Sequence, residues 1–189
     1  MMLKKISDIY PKLGDVMLNY KEFWSEMDFP PKQTVLKEGD ISTMLYFVLK
    51  GSMRLSNNNN GDEITIQFFF ENDFVTSFES FFKDTPSFFS LDTIEQCTVL
   101  AIRKEHWKII MDENPCLKDS FFDFTSDRFI NYIHHFLSYI KEKPEERYKN
   151  LLKNKSHILQ RVPLQYIASY LGITTVSLSR IRARKNKNK

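Results

Sequence analysis

Residues 163–181 of the chain read PLQYIASYLGITTVSLSRI, and this stretch decides how the rest of the sequence is interpreted. A helix-turn-helix that begins at Leu164 needs a small residue at its fifth position and a glycine at its ninth, where the turn requires a positive φ. Ala168 and Gly172 stand at those positions. Apolar residues occupy the fourth, eighth, tenth, fifteenth and eighteenth positions, as Ile167, Leu171, Ile173, Leu178 and Ile181. Seven matches in one register predict two crossed helices.

The second of these helices is predicted to lie in the major groove of double-stranded DNA. Thr174 suits an N-cap, and a reading helix points its first residues toward base edges. Arg180 can donate two hydrogen bonds to a guanine, whereas Thr174, Ser177 and the cations that follow suit phosphates. The predicted DNA contacts are Thr174, Thr175, Val176, Ser177, Ser179, Arg180, Arg182, Arg184 and Lys185. A helical hairpin that only packs on the rest of the chain is the alternative, but the last ten residues carry six cations and no acid.

Charge is distributed unevenly along the chain. The formal net charge is only +3, yet residues 144–189 contain eleven Lys or Arg and two Glu. An acidic front joined to a basic back is typical of two modules with different partners, and a polyanion is the natural partner of the basic one.

The sequence before residue 104 has two successive patterns of apolar residues. Residues up to about Met27 have apolar residues at helical spacing, and we predict helix there. Short β-branched and aromatic runs separated by Gly, Asn and Pro turns follow, which predicts an antiparallel sandwich or barrel. The predicted strands are 34–36, 45–49, 53–55, 64–70, 88–94 and 98–102.

A long helix with a dimer-type face is predicted next. Apolar residues recur at steps of four and three, interrupted only by Ser126, as in the seam of a coiled coil. The seam consists of Phe122, Phe129, Ile133, Phe136 and Ile140. Its apolar face is wide enough to touch both the barrel and a second helix, so we predict a homodimer; a helix packed only on its own domain is the alternative. Pro144 then predicts a break and a hinge at 141–144.

This order of elements resembles the Crp/Fnr family of bacterial transcription regulators. The resemblance rests on residues 167–182 and on the barrel opening at 36–55. It implies an α+β fold with an N-terminal antiparallel β-roll or jelly-roll sensor domain, a long dimerisation helix and a small C-terminal helix-turn-helix domain. We expect the boundaries 1–114, 115–143 and 144–189. The family also makes a small-molecule effector and RNA polymerase expected partners.

The sequence departs from the family at the cyclic-nucleotide site. By alignment, Ser77 replaces the glutamate that holds the ribose, and Ser87 replaces the arginine that holds the phosphate. A buried phosphate without a cation is costly, so we expect no ordinary cyclic-nucleotide binding. The residues expected around an effector are Phe74, Thr76, Ser77, Phe78, Glu79, Ser87, Phe88 and Phe89. Glu79 is as well explained as a surface or capping residue, and the many Phe residues as core, with an apolar ligand cavity as the alternative.

The reading helix also departs from the family at one position. Val176 stands where many members carry a glutamate that accepts a hydrogen bond from cytosine N4. Valine can make only apolar contact, for example with a thymine methyl group. We therefore expect an operator that differs from the usual half-site at one position.

Other function classes find little support in the sequence. Cys97 and Cys116 have no CxxC spacing, and the four histidines have no metal-ligand spacing, so we expect no metal and no cofactor. No catalytic motif is present, which argues against an enzyme. No run of about 20 apolar residues occurs, and we expect a cytoplasmic protein. The alternative function is a ligand-binding or protein-interaction β-roll module that contacts DNA only non-specifically.

Overall fold

The computed structural model describes the backbone of residues 3–187 and the side chains of residues 6–184. It begins with two short helices, α1 (Leu3–Ile9) and α2 (Pro11–Leu18), followed by a 3-10 turn at Lys21–Phe23. Pro11 opens α2, where its missing N–H does no harm. The two helices cross closely, because a Cβ on Gly14 would lie 2.1 Å from the Cα of Ser7.

Two four-stranded antiparallel sheets form the β-roll, as predicted. The front sheet has the order β1-β8-β3-β6 and the back sheet the order β2-β7-β4-β5. The strands are β1 (Trp24–Phe29), β2 (Thr34–Leu36), β3 (Met44–Lys50), β4 (Met53–Asn59), β5 (Asp62–Phe69), β6 (Phe74–Val75), β7 (Ser90–Thr93) and β8 (Cys97–Arg103).

The central strand β3 shows why the apolar run at 45–49 is buried on both faces. Successive side chains of a strand point to opposite faces. Tyr46 and Val48 therefore pack between the two sheets, whereas Leu45, Phe47 and Leu49 pack beneath the helices. The front sheet is thus the middle layer of the domain.

Two local predictions in this region need correction. Helix does not continue to Met27, because Trp24–Phe29 forms β1 and pairs with β8 along its whole length. That pairing is with residues 68 to 78 positions away along the chain, and local periodicity cannot detect it. The strands flanking the hairpin turn are also longer than predicted, because the turn is only Asn60-Gly61, both with positive φ.

The remaining helices include the predicted long helix and helix-turn-helix, whereas the helix at Phe78–Lys83 lies in a segment where the sequence predicts no helix. They are α3 (Phe78–Lys83), α4 (Lys104–Glu113), α5 (Leu117–Lys141), α6 (Pro144–Asn154), α7 (Ser156–Arg161), α8 (Leu164–Tyr170) and α9 (Thr175–Lys187). The chain breaks where predicted, since Glu142 is extended and Pro144 opens α6. In the described part of the chain, no helix is long and apolar enough to cross a membrane.

The C-terminal helices pack against the outer face of the back sheet. Phe68 of β5 and Ile94 belong to the same apolar cluster as the core of α6–α9. Phe69, the next residue of β5, points instead into the core between the sheets. One strand therefore serves two cores.

Candidate nucleic-acid interface and sensor turn

Helices α8 and α9 form the helix-turn-helix. Gly172 in the turn has φ +65°, as its position predicts, and a Cβ there would lie 2.8 Å from the ring of Tyr139. Thr174 Oγ1 accepts the backbone N–H of Ser177 at 3.2 Å and so caps α9. Ala168 is buried where the two helices cross. The turn is therefore specified both by backbone conformation and by close packing against α5.

One face of α9 is buried and the other is exposed. Leu178 is buried in the core of the helix-turn-helix, and Ile181 packs beside it. Among the predicted contact residues, Ser177 is half-buried, and the exposed ones are Thr174, Thr175, Val176, Ser179, Arg180, Arg182 and Arg184. The structure therefore brings these residues together on the side of α9 that faces away from the protein.

The arginines of this face differ in their surroundings. In the described part of the chain, neither Arg180 nor Arg182 makes an ion pair or a hydrogen bond through its side chain. Arg184 donates to Glu145 at 2.7 Å, a pairing that sequence reasoning missed. The side chain of Lys185 lies outside the described residues. Arg180 is thus free to meet an external partner.

The predicted seam lies exposed along α5. Its exposed fractions are 70% for Phe122, 64% for Phe129, 40% for Ile133, 60% for Phe136 and 66% for Ile140. Aromatic side chains are rarely left in water at such values along one stripe, and a contiguous apolar patch marks an interaction surface. Within the residues that the structure describes, this face is left largely uncovered.

We call residues 76–87, between β6 and β7, the sensor turn. Hydroxyl groups of this turn contact one another. Ser77 and Ser87 are both buried, and their Oγ atoms lie 2.7 Å apart. Ser87 Oγ also lies 2.7 Å from the carbonyl oxygen of Phe89 and accepts the N–H of Phe89 at 3.1 Å. Thr76 Oγ1 donates to the carbonyl oxygen of Met44 at 2.9 Å. The hydroxyl groups of these turn residues are satisfied within the protein.

The other residues expected around an effector do not converge on that turn. Glu79 lies on the exposed side of α3, where Lys83 donates to it at 3.1 Å, which matches the surface interpretation. Phe88 is 63% exposed, and Phe89 packs against the core between the sheets. Phe74 and Phe78 instead line a pocket on the helical side of the front sheet.

This pocket lies between the α1–α2 junction, the front sheet, α3 and α5. Its volume is about 680 Å³, within the range of ligand sites. Thr76 reaches its wall, but neither Ser77 nor Ser87 does. Sequence reasoning missed most of the lining, because Tyr10, Trp107 and Phe124 come from helices far apart in the chain.

A charged contact joins the C-terminal helices to the β-roll. Arg161, at the end of α7, donates to both carboxylate oxygens of Glu71 at 2.7 Å and to Glu95 at 2.5 Å. The guanidinium group of Arg161 holds the pKa of Glu71 at about 2, well below its usual value. We call these three residues the clamp.

Helix α8 adds polar contacts to the edge strand β5. Ser169 Oγ accepts the N–H of Thr65 at 2.8 Å and donates to the carbonyl oxygen of Glu63 at 2.7 Å. The buried guanidinium group of Arg54 lies 3.7 Å from the ring centre of Tyr166. These contacts cover an edge whose backbone groups would otherwise be unpaired.

Histidine side chains serve as packing groups. His135 stacks on Tyr170 with ring centres 4.3 Å apart, and burial lowers its pKa to about 4. His106 stacks on Phe23 at 4.2 Å. Among the described residues, no group of three or more His, Cys, Asp or Glu is placed to hold a metal ion.

Comparison with known proteins places these features in a family context. Residues 26–114 match the cyclic nucleotide-binding domain family. No curated protein matches the chain by sequence.

Three similar solved structures extend the likeness to nearly the whole chain. CLP of Xanthomonas campestris, described as a c-di-GMP-responsive global regulator, has a TM-score of 0.74 at 16% identity, covering 92% of each chain. FixK2 of Bradyrhizobium japonicum has a TM-score of 0.75 at 14% identity, covering 87% of this chain and 85% of its own. A CooA variant of Carboxydothermus hydrogenoformans has a TM-score of 0.70 at 15% identity, covering 89% and 79%. The protein therefore has the fold of the Crp/Fnr regulators, with a cyclic nucleotide-binding-type domain at residues 26–114.

Proposed function

We propose that the protein is a dimeric, sequence-specific DNA-binding transcription regulator. The observation that carries the proposal is the exposed face of α9, where Arg180 has no partner within the described chain while Leu178 anchors the opposite face. A helix that is packed against the protein on one face and exposed on the other can enter the major groove of DNA. The solved structures with this fold named above include a global regulator, and none of the three is described as an enzyme.

The contacts with DNA divide into two kinds. Arg180 reads a guanine through two hydrogen bonds, and Val176 meets a thymine methyl group. Thr174 and the cations Arg182, Arg184 and Lys185 contact phosphates, which contributes affinity without sequence choice. Thr175, Ser177 and Ser179 complete the interface between these contacts.

The second copy of the chain pairs with the first along the seam. Pairing along Phe122–Ile140 buries the exposed Phe and Ile side chains and places two reading helices about 34 Å apart on a pseudo-palindrome. Such a dimer joins a sensor domain at 1–114, the helix and hinge at 115–143 and a reading domain at 144–189. We expect the protein to act in the cytoplasm and to meet RNA polymerase at its promoters.

The signal that controls the dimer is not an ordinary cyclic nucleotide. Ser77 and Ser87 bond to each other where family members place a glutamate and an arginine. A cyclic phosphate in this turn would lack a cation and would break the bonds between these hydroxyls.

Selection of bound sequences from random double-stranded DNA, followed by anisotropy titration, tests this function. We expect Arg180→Ala to reduce the preference for the selected operator over a scrambled site by about 5- to 150-fold, the equivalent of about 1–3 kcal/mol. Arg182→Ala is the matched control, since loss of a phosphate contact weakens binding to both DNAs alike.

Two results would overturn the proposal. If selection enriches no sequence, or if Arg180→Ala weakens both DNAs equally, the chain is a β-roll module with non-specific DNA contact. That is the alternative function, and the basic end of the chain would then act only through charge.

A further inference from the structure

The pocket between the α1–α2 junction, the front sheet and α5 is graded from apolar to acidic along α5. We propose that it binds a small amphipathic amine, with an apolar body toward Leu117 and a protonated amino group toward Asp127. As the effector of the regulator, this ligand rests on the proposed function, although its binding can be measured without DNA. The proposal goes beyond the sensor turn, because Ser77 and Ser87 do not line this pocket.

The end of the pocket near the start of α5 is apolar. Trp107, Phe82 and Leu117 line it together with Phe121, whose ring centre lies 5.5 Å from that of Phe82 and 5.8 Å from that of Trp107. Rings at these separations form a continuous apolar wall. This end suits an aliphatic or aromatic body.

Three aromatic rings form the middle of the pocket. Tyr10 lies 5.6 Å from Phe74 and 6.0 Å from Phe124, and Phe74 lies 6.0 Å from Phe124, measured between ring centres. The faces of aromatic rings attract cations, so this wall tolerates an approaching ammonium group better than an anion.

The lining of the pocket carries one more carboxylate than cation. Asp73, Asp123 and Asp127 line it together with Lys12 and Arg128, and Asp127 lies toward the Asn131 end of α5. Within the described residues, none of the three carboxylates makes an ion pair. Asp73 accepts the N–H of Phe70 at 2.8 Å through one oxygen, and no described group donates to the other. Arg128 acts on Asp73 electrostatically but forms no ion pair with it, so the second oxygen of Asp73 can accept a charged donor from a ligand.

Arg128 already contacts other groups of the protein, so it does not make the pocket favour an anionic ligand. Its Nη1 donates to the carbonyl oxygen of Phe74 at 2.9 Å, and its guanidinium carbon lies 4.9 Å from the ring centre of Phe69 and 5.6 Å from that of Phe124. A carboxylate or phosphate head would meet the unpaired carboxylates of Asp73 and Asp127 in the same lining. Like charges at close range disfavour such a ligand.

The dimensions fit a ligand with a chain-like body. Leu117 and Asn131 mark the two ends of the pocket on α5, and 14 residues of helix span about 21 Å. The volume of about 680 Å³ leaves room for a body and a head without rearrangement.

Calorimetric titration with three probes of equal chain length tests the proposal: decylamine, decanol and decanoate, each below its aggregation concentration. We expect decylamine to bind to the full chain about tenfold more tightly than decanol, as one charge-assisted hydrogen bond provides, and decanoate to bind most weakly. Quenching of Trp107 fluorescence in a Trp24→Phe variant, which leaves Trp107 as the sole tryptophan, gives an independent readout.

Matched variants on one helix locate the amino group. We expect Asp127→Asn to lower decylamine affinity about tenfold and to leave decanol affinity unchanged. Asp119→Asn removes the same charge from an exposed position of α5 outside the pocket and should change neither. Ser120→Phe fills the pocket and should abolish binding of both probes.

The outcomes separate the site from the function. Equal or tighter binding of decanoate, no binding of decylamine, or equal effects of Asp127→Asn and Asp119→Asn each overturn the proposal. If the amine does not bind but operator selection succeeds, the proposed ligand site is wrong and the proposed regulator function stands. If the amine binds but no operator is selected, the proposed ligand site stands and the proposed regulator function is wrong.

Discussion

Helix α9 and the turn at 76–87 both carry serine or threonine hydroxyls, but those of α9 are mostly exposed and those of the turn are mostly buried. On α9, Thr175 and Ser179 are exposed beside Arg180, which has no partner in the described chain. In the turn, Ser77 and Ser87 are buried and their hydroxyl groups lie 2.7 Å apart. One region is open to a ligand and the other is closed on itself.

This difference shows which part of the fold can bind a ligand without first breaking internal hydrogen bonds. An exposed hydroxyl exchanges water for a ligand at little cost, whereas a buried, bonded one must first lose its partner, at about 1–3 kcal/mol. Residues 26–114 match the cyclic nucleotide-binding domain family, yet the hydroxyl groups of Ser77 and Ser87 in the turn are bonded to each other. Fold and function must therefore be argued separately.

The largest expected effect concerns the seam, which in the proposed dimer determines whether one or two copies of α9 contact each operator. We expect Ile133→Asp to convert the dimer to a monomer, because a buried unpaired carboxylate at a symmetric contact faces its own copy. Operator affinity should then fall by at least about 100-fold, since only one half-site is bound. Sedimentation equilibrium and anisotropy titration measure the two effects.

Ile109→Asp is the matched control for the seam. Ile109 on α4 is 40% exposed, as is Ile133, but lies off the seam. It should change neither the mass nor the affinity. A wild-type protein that sediments as a monomer at micromolar concentration would contradict the dimer, and the open face of α9 would then act alone.

The helix-turn-helix could be predicted in detail because its signals are local. Gly172 needs a positive φ, Ala168 a close helix crossing and Thr174 a cap, and each requirement lies within a few residues of its cause. The exposed face of α9 followed directly from helical period. The two-sheet β-roll was also predictable, from short strands separated by turn residues.

Features that depend on distant parts of the chain were not predictable. β1 forms only because β8 lies beside it, although its residues showed no strong strand pattern. The clamp joins Arg161 to Glu71 and Glu95 across 90 and 66 positions, and no spacing rule connects them. The same holds for the pocket, which Tyr10 shares with Phe74 and Phe124 only after the helices have packed.

The second prediction compares the two regions directly by removing one hydroxyl from each. Ser87→Ala leaves the Ser77 hydroxyl and the Phe89 N–H without their partner, so the free energy of unfolding should fall by about 1–3 kcal/mol. Ser179→Ala removes an exposed hydroxyl and should change it by less than about 0.5 kcal/mol. Urea denaturation measures both, and equal effects would show that the turn is not closed as described.

The smallest expected effect concerns the clamp, which joins the C-terminal helices to the β-roll. Arg161 holds the pKa of Glu71 at about 2, whereas an ordinary glutamate has a pKa of 4.5. A carboxyl whose pKa is lowered by folding stabilises the protein above the unfolded pKa and loses that contribution as the pH falls from about 4.5 to 2.

Arg161 and Glu71 are each about one-third exposed, so water screens this pair and its contribution should stay below about 1 kcal/mol. We therefore expect Glu71→Gln to lower the melting temperature by a few degrees at pH 7, and the difference from wild type to shrink as the pH falls below about 4.5. Glu26→Gln, at an exposed position of β1 without an ion pair, should cause no such difference. A Glu71→Gln difference that persists undiminished at pH 2.5 would mean that Glu71 stabilises the contact by packing rather than by charge.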